Sequence, residues 1–515
     1  MRRLVAAVTL VVVVVLVAGL ALVVTRGGSP GGGAAPTPVT PSGGPPVTRP
    51  PSAELARFYT QQLDWSECDH GNRCALLTVP LDYRRPAGRT IEIHVLEVPA
   101  SGTRIGSLVV NPGGPGAGGT TYAASKGASF GDPLLEHFDL VGFDPRGTGR
   151  SSPVECLGDR AFNAYLSSDP DPRTADQIAT FRHQQRSLAR GCVRNSGALA
   201  GHVSTVESAR DMDILRAALG DARLTYFGAS YGTKLGATYA QLFPQRVGRF
   251  VLDGAVDPTL GTRAAALQQA AGFQKALDAY AADCVQSKVG CFLGKTVSDV
   301  QRTISSLLDR ISRQPLPTSD GRELTAGNAF YGIAATLYDR GYWILLSSGL
   351  RSALGGDGTV LMKLADAYAH RNPDGTFQDN FLEAFYDISC VDDPYTIPYA
   401  RVPSQFLAFE KASPVFGRVY AWALTACDGF TPRTDEPAPT IHARGAQPIV
   451  VIGTTRDPAT PYRWAVALAH QLDSGVLVSR NGDGHTGYHQ GNVCVDTAVD
   501  RYLVSGVVPQ DGLSC

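Results

Sequence analysis

The sequence has no surplus of charge: 46 Lys and Arg stand against 47 Asp and Glu, for a formal net charge of -1. A protein that follows a phosphate backbone needs a basic stripe, so nucleic acid is excluded as a partner. Lysine is scarce, 7 residues in 515, with Arg supplying the remaining basic side chains. That reads as the bias of a GC-rich coding sequence rather than as a basic function. No internal repeat is present. The Gly-rich stretch Asn111-Pro112-Gly113-Gly114-Pro115-Gly116 lacks the Lys and Ser/Thr of a phosphate-cradling loop. The ten cysteines never fall into the C-x2-4-C pairs and His spacings of a zinc site, so no metal is called for, and no cofactor either. Disorder is excluded as well, because 43% of residues are hydrophobic and only 18% charged.

What is present begins with a compartment signal. Met1-Arg2-Arg3 precedes an uncharged run from Leu4 to Val24, about 31 Å as a helix and close to the thickness of a bilayer core. Residues 1–26 are read as an N-terminal signal or membrane anchor, with Arg2 and Arg3 keeping the amino terminus inside and the body outside. Both an uncleaved anchor and a long cleaved signal fit the run. Of the next 26 residues, 27–52, 15 are Gly or Pro; such a stretch packs no core and reads as an extended linker. The folded body is placed at residues 53–515. In an exported body disulfides are the rule, and the candidates are Cys68, Cys74, Cys156, Cys192, Cys284, Cys291, Cys390, Cys427, Cys494 and Cys515. Sequence alone does not choose among the connectivities, but consecutive pairing gives short loops throughout.

The body alternates strands and helices. Ile91–Val98 alternates in polarity, whereas Ser107–Asn111, Phe138–Asp144, Leu224–Gly228, Arg249–Asp253, Pro448–Gly453 and Gly475–Ser479 are short apolar runs ending in turn residues. Apolar strands separated by helices such as Glu207–Leu219 and Tyr231–Phe243 predict an α/β fold, with a mostly parallel central sheet covered on both faces. Ligands of such sheets sit at the carboxyl ends of the strands. From about 260 to 440 strand-like runs give way to long helices, among them Arg263–Cys284 and Ser298–Ile311. This predicts a large, mainly helical insertion within one domain, because strand-like runs resume at Pro448.

Gly228-Ala229-Ser230-Tyr231-Gly232 lies between a strand and a helix. A serine on such a turn projects its hydroxyl at a helix N-terminus, where the dipole favours developing negative charge. Serine needs a base, and the base needs an acid to orient it. Asp457 follows one strand and His485 the next, in the order Ser, acid, His; Asp483 and His489 rank second. The oxyanion donors are expected from the backbone N–H of Tyr231 and from Gly113 or Gly114. In Phe143-Asp144-Pro145-Arg146-Gly147-Thr148-Gly149, Asp144 and Arg146 are read as a turn held by an internal ion pair.

The motifs N-P-G-G-P-G, D-P-R-G-T-G-R-S-S, G-A-S-Y-G-T-K-L-G, V-L-D-G-A-V-D-P, R-D-P-A-T-P and G-D-G-H-T together resemble the exported actinobacterial tripeptidyl-aminopeptidase family, α/β-hydrolases related to proline iminopeptidases. The resemblance covers about residues 60–515, and residues 415–515 look like that family's C-terminal region. Asn111 heads its loop where proline iminopeptidases typically carry His, which favours the tripeptidyl branch. The resemblance implies Ser230 as nucleophile, Asp457 as acid, His485 as base, release of short peptides from free amino termini, and the helical insertion acting as a lid. An aminopeptidase must also hold an ammonium group; Glu383, Asp387, Asp392 and Asp393 are the candidates, in a segment that a Cys390–Cys427 bridge would fix. The competing classes are a carboxylester hydrolase, a broader serine protease and a catalytically dead binding protein.

Overall fold

The computed structural model describes residues 49–515 apart from 69, 70 and 289. The expected anchor and nearly all of the linker lie outside the described residues. Among the described residues no helix is long and apolar enough to cross a membrane.

Among the described residues ten strands form one sheet: β1 (Ser66–Cys68), β2 (Asn72–Pro80), β3 (Thr90–Val98), β4 (Gly106–Asn111), β5 (Phe138–Phe143), β6 (Leu224–Ala229), β7 (Val247–Asp253), β10 (Ile449–Arg456), β11 (Gly475–Asp483) and β12 (Leu513–Ser514). Their order is β1-β2-β3-β5-β4-β6-β7-β10-β11-β12. The pairs β1/β2, β2/β3 and β3/β5 are antiparallel, and every other neighbouring pair is parallel. The parallel strands are apolar because both faces are covered. Val109, Val141 and Val451 point into one core, and Leu108, Val110 and Ile452 into the other.

The two short strands β8 (Leu316–Pro317) and β9 (Glu323–Leu324) form a separate pair. They lie in the stretch between β7 and β10, which is otherwise built from helices and loops. Its helices include Thr262–Gln286, Val297–Arg313, Ala326–Thr336, Trp343–Leu354, Thr359–Tyr368 and Phe381–Asp392. They bury a core of their own, with Ile304, Leu307, Ile333, Leu346, Leu350 and Leu361 at its centre. The amphipathic helix Val297–Arg313 shows why: Val300, Ile304, Leu307 and Ile311 recur at helical spacing on its buried face, behind a Thr296/Asp299 capping box.

All ten cysteines are paired, consecutively: 68–74, 156–192, 284–291, 390–427 and 494–515. The first clips the β1–β2 hairpin and the last ties β12 to the final helix; none of these three strands is expected from the sequence, β1 and β12 because they are only three and two residues long, β2 although it spans nine residues. In one place the expected local structure is wrong. Asp144 and Arg146 do not pair. The Asp144 carboxylate accepts from the Thr120 N–H (3.1 Å) and hydroxyl (2.7 Å) and from the Arg150 N–H (3.0 Å). The Arg146 side chain runs the other way into the core, where it makes two 2.7 Å bonds to Asp211 and donates to the Pro80, Leu81 and His202 carbonyls. Residues two apart in a turn point apart, and fully buried Arg146 takes the carboxylate on its own side.

Candidate active site

Four segments converge at the carboxyl ends of the parallel strands. β6 delivers Ser230, which sits at φ 56°, ψ −125° as the N-cap of the helix Tyr231–Leu242. A non-Gly residue there is strained, a cost that functional sites commonly carry. The surroundings impose the conformation. The Ser230 N–H donates to the Asp253 carbonyl at 2.8 Å, and its own carbonyl accepts from the Thr233 N–H (2.9 Å) and hydroxyl (2.6 Å). Gly228 and Gly232 let the strand and helix cross closely: a Cβ on Gly228 would lie 2.5 Å from the Gly232 carbonyl oxygen.

Asp457 follows β10, His485 follows β11, and the two side chains meet. Nδ1 of His485 lies 2.8 Å from one Asp457 oxygen and 3.0 Å from the other. Asp457 is buried and held by the N–H groups of Ala459 (2.9 Å) and Thr460 (2.8 Å) and the Thr460 hydroxyl (3.0 Å). That hydroxyl also lies 3.3 Å from His485 Nδ1, bridging acid and base. Burial disfavours the imidazolium, but the charge and hydrogen bond of Asp457 and the charge of Asp253 outweigh it and raise the His485 pKa above its ordinary value. Nε2 of His485 is buried and has no hydrogen-bond partner among the described residues. A Cβ on Gly254, the residue after the one that holds the Ser230 N–H, would lie 3.1 Å from His485 Cε1. Ser230 and His485 therefore flank the same strand end. Of the second-ranked candidates, Asp483 pairs with Arg456, and His489 donates its backbone N–H to Asp496.

The loop after β4 faces the serine turn, and Gly113 lies against it: a Cβ there would meet the Ala229 oxygen at 2.6 Å and the Tyr231 nitrogen at 2.8 Å. Its N–H, however, donates to the buried Asn111 side chain at 3.0 Å, which corrects the expectation that it points at substrate. The N–H groups of Gly114 and Tyr231 donate to no group among the described residues. The Tyr231 side chain turns into the core, its hydroxyl 2.7 Å from that of Thr205.

The helical insertion covers the site. The Tyr338 carbonyl accepts the His485 N–H at 2.7 Å, and its ring meets the imidazole edge to face at 5.5 Å. Tyr368 and Tyr331 continue this aromatic layer. The helix Phe381–Asp392 crosses the β4 loop so closely that a Cβ on Gly116 would fall 2.4 Å from the Phe381 oxygen. The four acidic candidates on and beside this helix have different fates. Asp392 pairs with Lys234 at 2.6 Å and accepts from Thr205. Asp393 caps the helix Thr262–Gln286 through Thr262. Glu383 accepts the Leu157 N–H at 2.7 Å, and burial pushes its pKa up to about 7. Asp387 is fully buried, both oxygens lack partners among the described residues, and burial raises its pKa strongly.

Two participants escaped the sequence reading, Thr460 and Asp253. The first lies three residues after Asp457 in R-D-P-A-T-P, and the second ends a strand in V-L-D-G. A polar residue closing an apolar strand on the ligand-binding edge is the signal that marks Asp253.

A serine held at positive φ on a strand-to-helix turn, beside an Asp-oriented imidazole at one edge of a parallel sheet, belongs to a serine hydrolase of the α/β-hydrolase fold. Residues 413–515 match the profile of the family described as TAP-like protein. Over 478 residues the chain is 38% identical to serine protease Hip1 of Mycobacterium tuberculosis, covering 88% of this chain and 91% of that one. It is 36% identical over 501 residues to a Mycobacterium tuberculosis protein named carboxylesterase B (92% and 96% covered), and 29% identical over 477 residues to a tripeptidyl aminopeptidase of Streptomyces lividans (89% and 88%). The chain belongs to this tripeptidyl-aminopeptidase-like family of α/β-hydrolases.

Proposed function

We propose that the protein is an aminopeptidase that releases short peptides, tripeptides foremost, from free amino termini outside the cytoplasm. Ser230 is its nucleophile, His485 its base and Asp457 its acid. The observation that carries the chemistry is the Asp457–His485 pair beside a positive-φ serine. As substrate enters, His485 Nε2 takes the Ser230 Oγ proton while Oγ bonds to the carbonyl carbon; the Ser230–His485 contact closes at that point, as is common when a substrate completes a site. The N–H groups of Tyr231 and Gly114 stabilise the oxyanion. Collapse breaks the C–N bond, His485 gives its proton to the departing amine, and a water activated by His485 hydrolyses the acyl-enzyme.

Relatives named serine protease and tripeptidyl aminopeptidase support a peptide substrate. The helical insertion serves as the lid that shapes the pocket. Of the four acidic candidates, Asp387 is the one with no hydrogen-bond partner among the described residues, and a substrate ammonium would offset the burial that disfavours its charge. The five disulfides support an extracytoplasmic body, with residues 1–26 attaching it to the membrane or directing export. The relative named carboxylesterase B favours ester hydrolysis as the second reading.

The test is hydrolysis of a free-amine tripeptide amide beside its acetylated form and a short acyl ester, with fluorophosphonate labelling of Ser230. Preference for the free amine, lost in Asp387→Asn, supports the reading. Preference for the acetylated peptide or the ester overturns it.

A further inference from the structure

Asp253, the last residue of β7, takes no part in the steps above, yet it holds both the turn that carries Ser230 and the loop that follows His485. Its carbonyl accepts the Ser230 N–H at 2.8 Å. Its carboxylate, 1% exposed, accepts the Gly487 N–H (2.8 and 3.0 Å to the two oxygens) and the Tyr488 N–H (2.8 Å). Those two amides belong to the loop that begins at His485. Among the described residues no Lys or Arg pairs with this carboxylate. The ionisable groups around it are His485, Asp457 and Tyr122. A buried carboxylate without a cation is costly unless hydrogen bonds hold it. Burial pushes its pKa up to about 7, against the pull of the two backbone N–H groups and of His485.

We propose that Asp253 is a positioning residue that sets the distance between nucleophile and base, its carbonyl holding the serine turn and its carboxylate holding the loop that carries His485. The proposal rests on the assignment of Ser230 and His485 as the reacting pair. Its electrostatic consequence is specific. The Asp253 charge helps raise the His485 pKa, so the residue affects proton transfer as well as spacing.

The test compares wild type, Asp253→Asn, Ser230→Ala and His485→Ala on one chromogenic substrate that the wild type turns over. Asp253→Asn preserves the shape and one acceptor oxygen but removes the charge. The expected result is a fall in kcat of about 10- to 100-fold with KM unchanged, together with a shift of the acid limb of kcat/KM to lower pH; a 1 Å misplacement of a reacting group is enough for the first effect. A variant within twofold of wild type and with the same acid limb overturns the proposal. Full activity in Ser230→Ala or His485→Ala instead overturns the underlying assignment, so the two failures are distinct. Should Asp253→Asn not fold, hydrogen exchange on the wild type decides: protected Gly487 and Tyr488 amides support the brace, and amides exchanging at open-loop rates refute it.

Discussion

Substituting Gly113 by Ala perturbs the oxyanion loop while leaving Ser230, His485 and Asp457 unmutated. Gly113 sits at φ +97°, where an L side chain costs about 1–2 kcal/mol. The added Cβ would lie 2.6 Å from the Ala229 oxygen, 2.8 Å from the Tyr231 nitrogen and 3.0 Å from Ser230 Cβ. Real Cβ atoms essentially never come within 3.0 Å of such neighbours. Two of the three contacts are backbone, so no flexible side chain yields and the loop itself must withdraw, carrying the adjacent Gly114 N–H away from the oxyanion. Loss of one such donor costs about 2.7–4 kcal/mol, or 10²- to 10³-fold in kcat. Partial displacement places Gly113→Ala near the lower bound, about 10²-fold, with KM changed by no more than a few fold. Steady-state kinetics measures the effect, circular dichroism verifies the fold, and Gly127→Ala serves as control, since a Cβ there meets nothing within 4 Å. A folded Gly113→Ala enzyme with kcat within threefold of wild type would refute the placement of the oxyanion hole beside this loop.

Three further outcomes are expected. The base must be neutral, and Asp457 and Asp253 together raise the His485 pKa; kcat/KM therefore declines as pH falls through a value above the ordinary histidine 6.5, and an acid limb at or below 6.5 in a pH–rate profile contradicts the electrostatics. Asp457→Asn removes the largest raising influence and the tautomer control, so kcat drops by about 10⁴-fold and the acid limb moves to lower pH. Arg146→Met leaves Asp211 buried without its cation, which costs about 3–5 kcal/mol; guanidinium unfolding with the disulfides intact measures it, and adding Asp211→Leu recovers part of the loss if the pair is the cause.

Local chemistry made much of this molecule legible in advance. The parallel strands are continuous apolar runs because both sheet faces are buried, and the six strands expected from such runs lie where the runs lie, as the alternating Ile91–Val98 lies in antiparallel β3. Ser230, Asp457 and His485 stand out because each occupies a turn directly after such a run, and a parallel sheet brings all those turns to one edge whatever their separation in sequence. The disulfide partners are sequence neighbours for the same reason of short reach. Other features depend on contacts between distant segments, and no local pattern carries them. Arg146 chooses Asp211 over Asp144 because the chain turns its side chain into the core. Tyr338 reaches His485 only through the fold of the helical insertion. Asp253 becomes a bridge between the serine turn and the loop after His485 only when β6, β7, β10 and β11 end side by side. Residue type and local period determine which elements form and which side chains are chemically apt; the partner that a buried polar group finds is decided by packing, where every donor and acceptor removed from water must be matched by one another segment supplies.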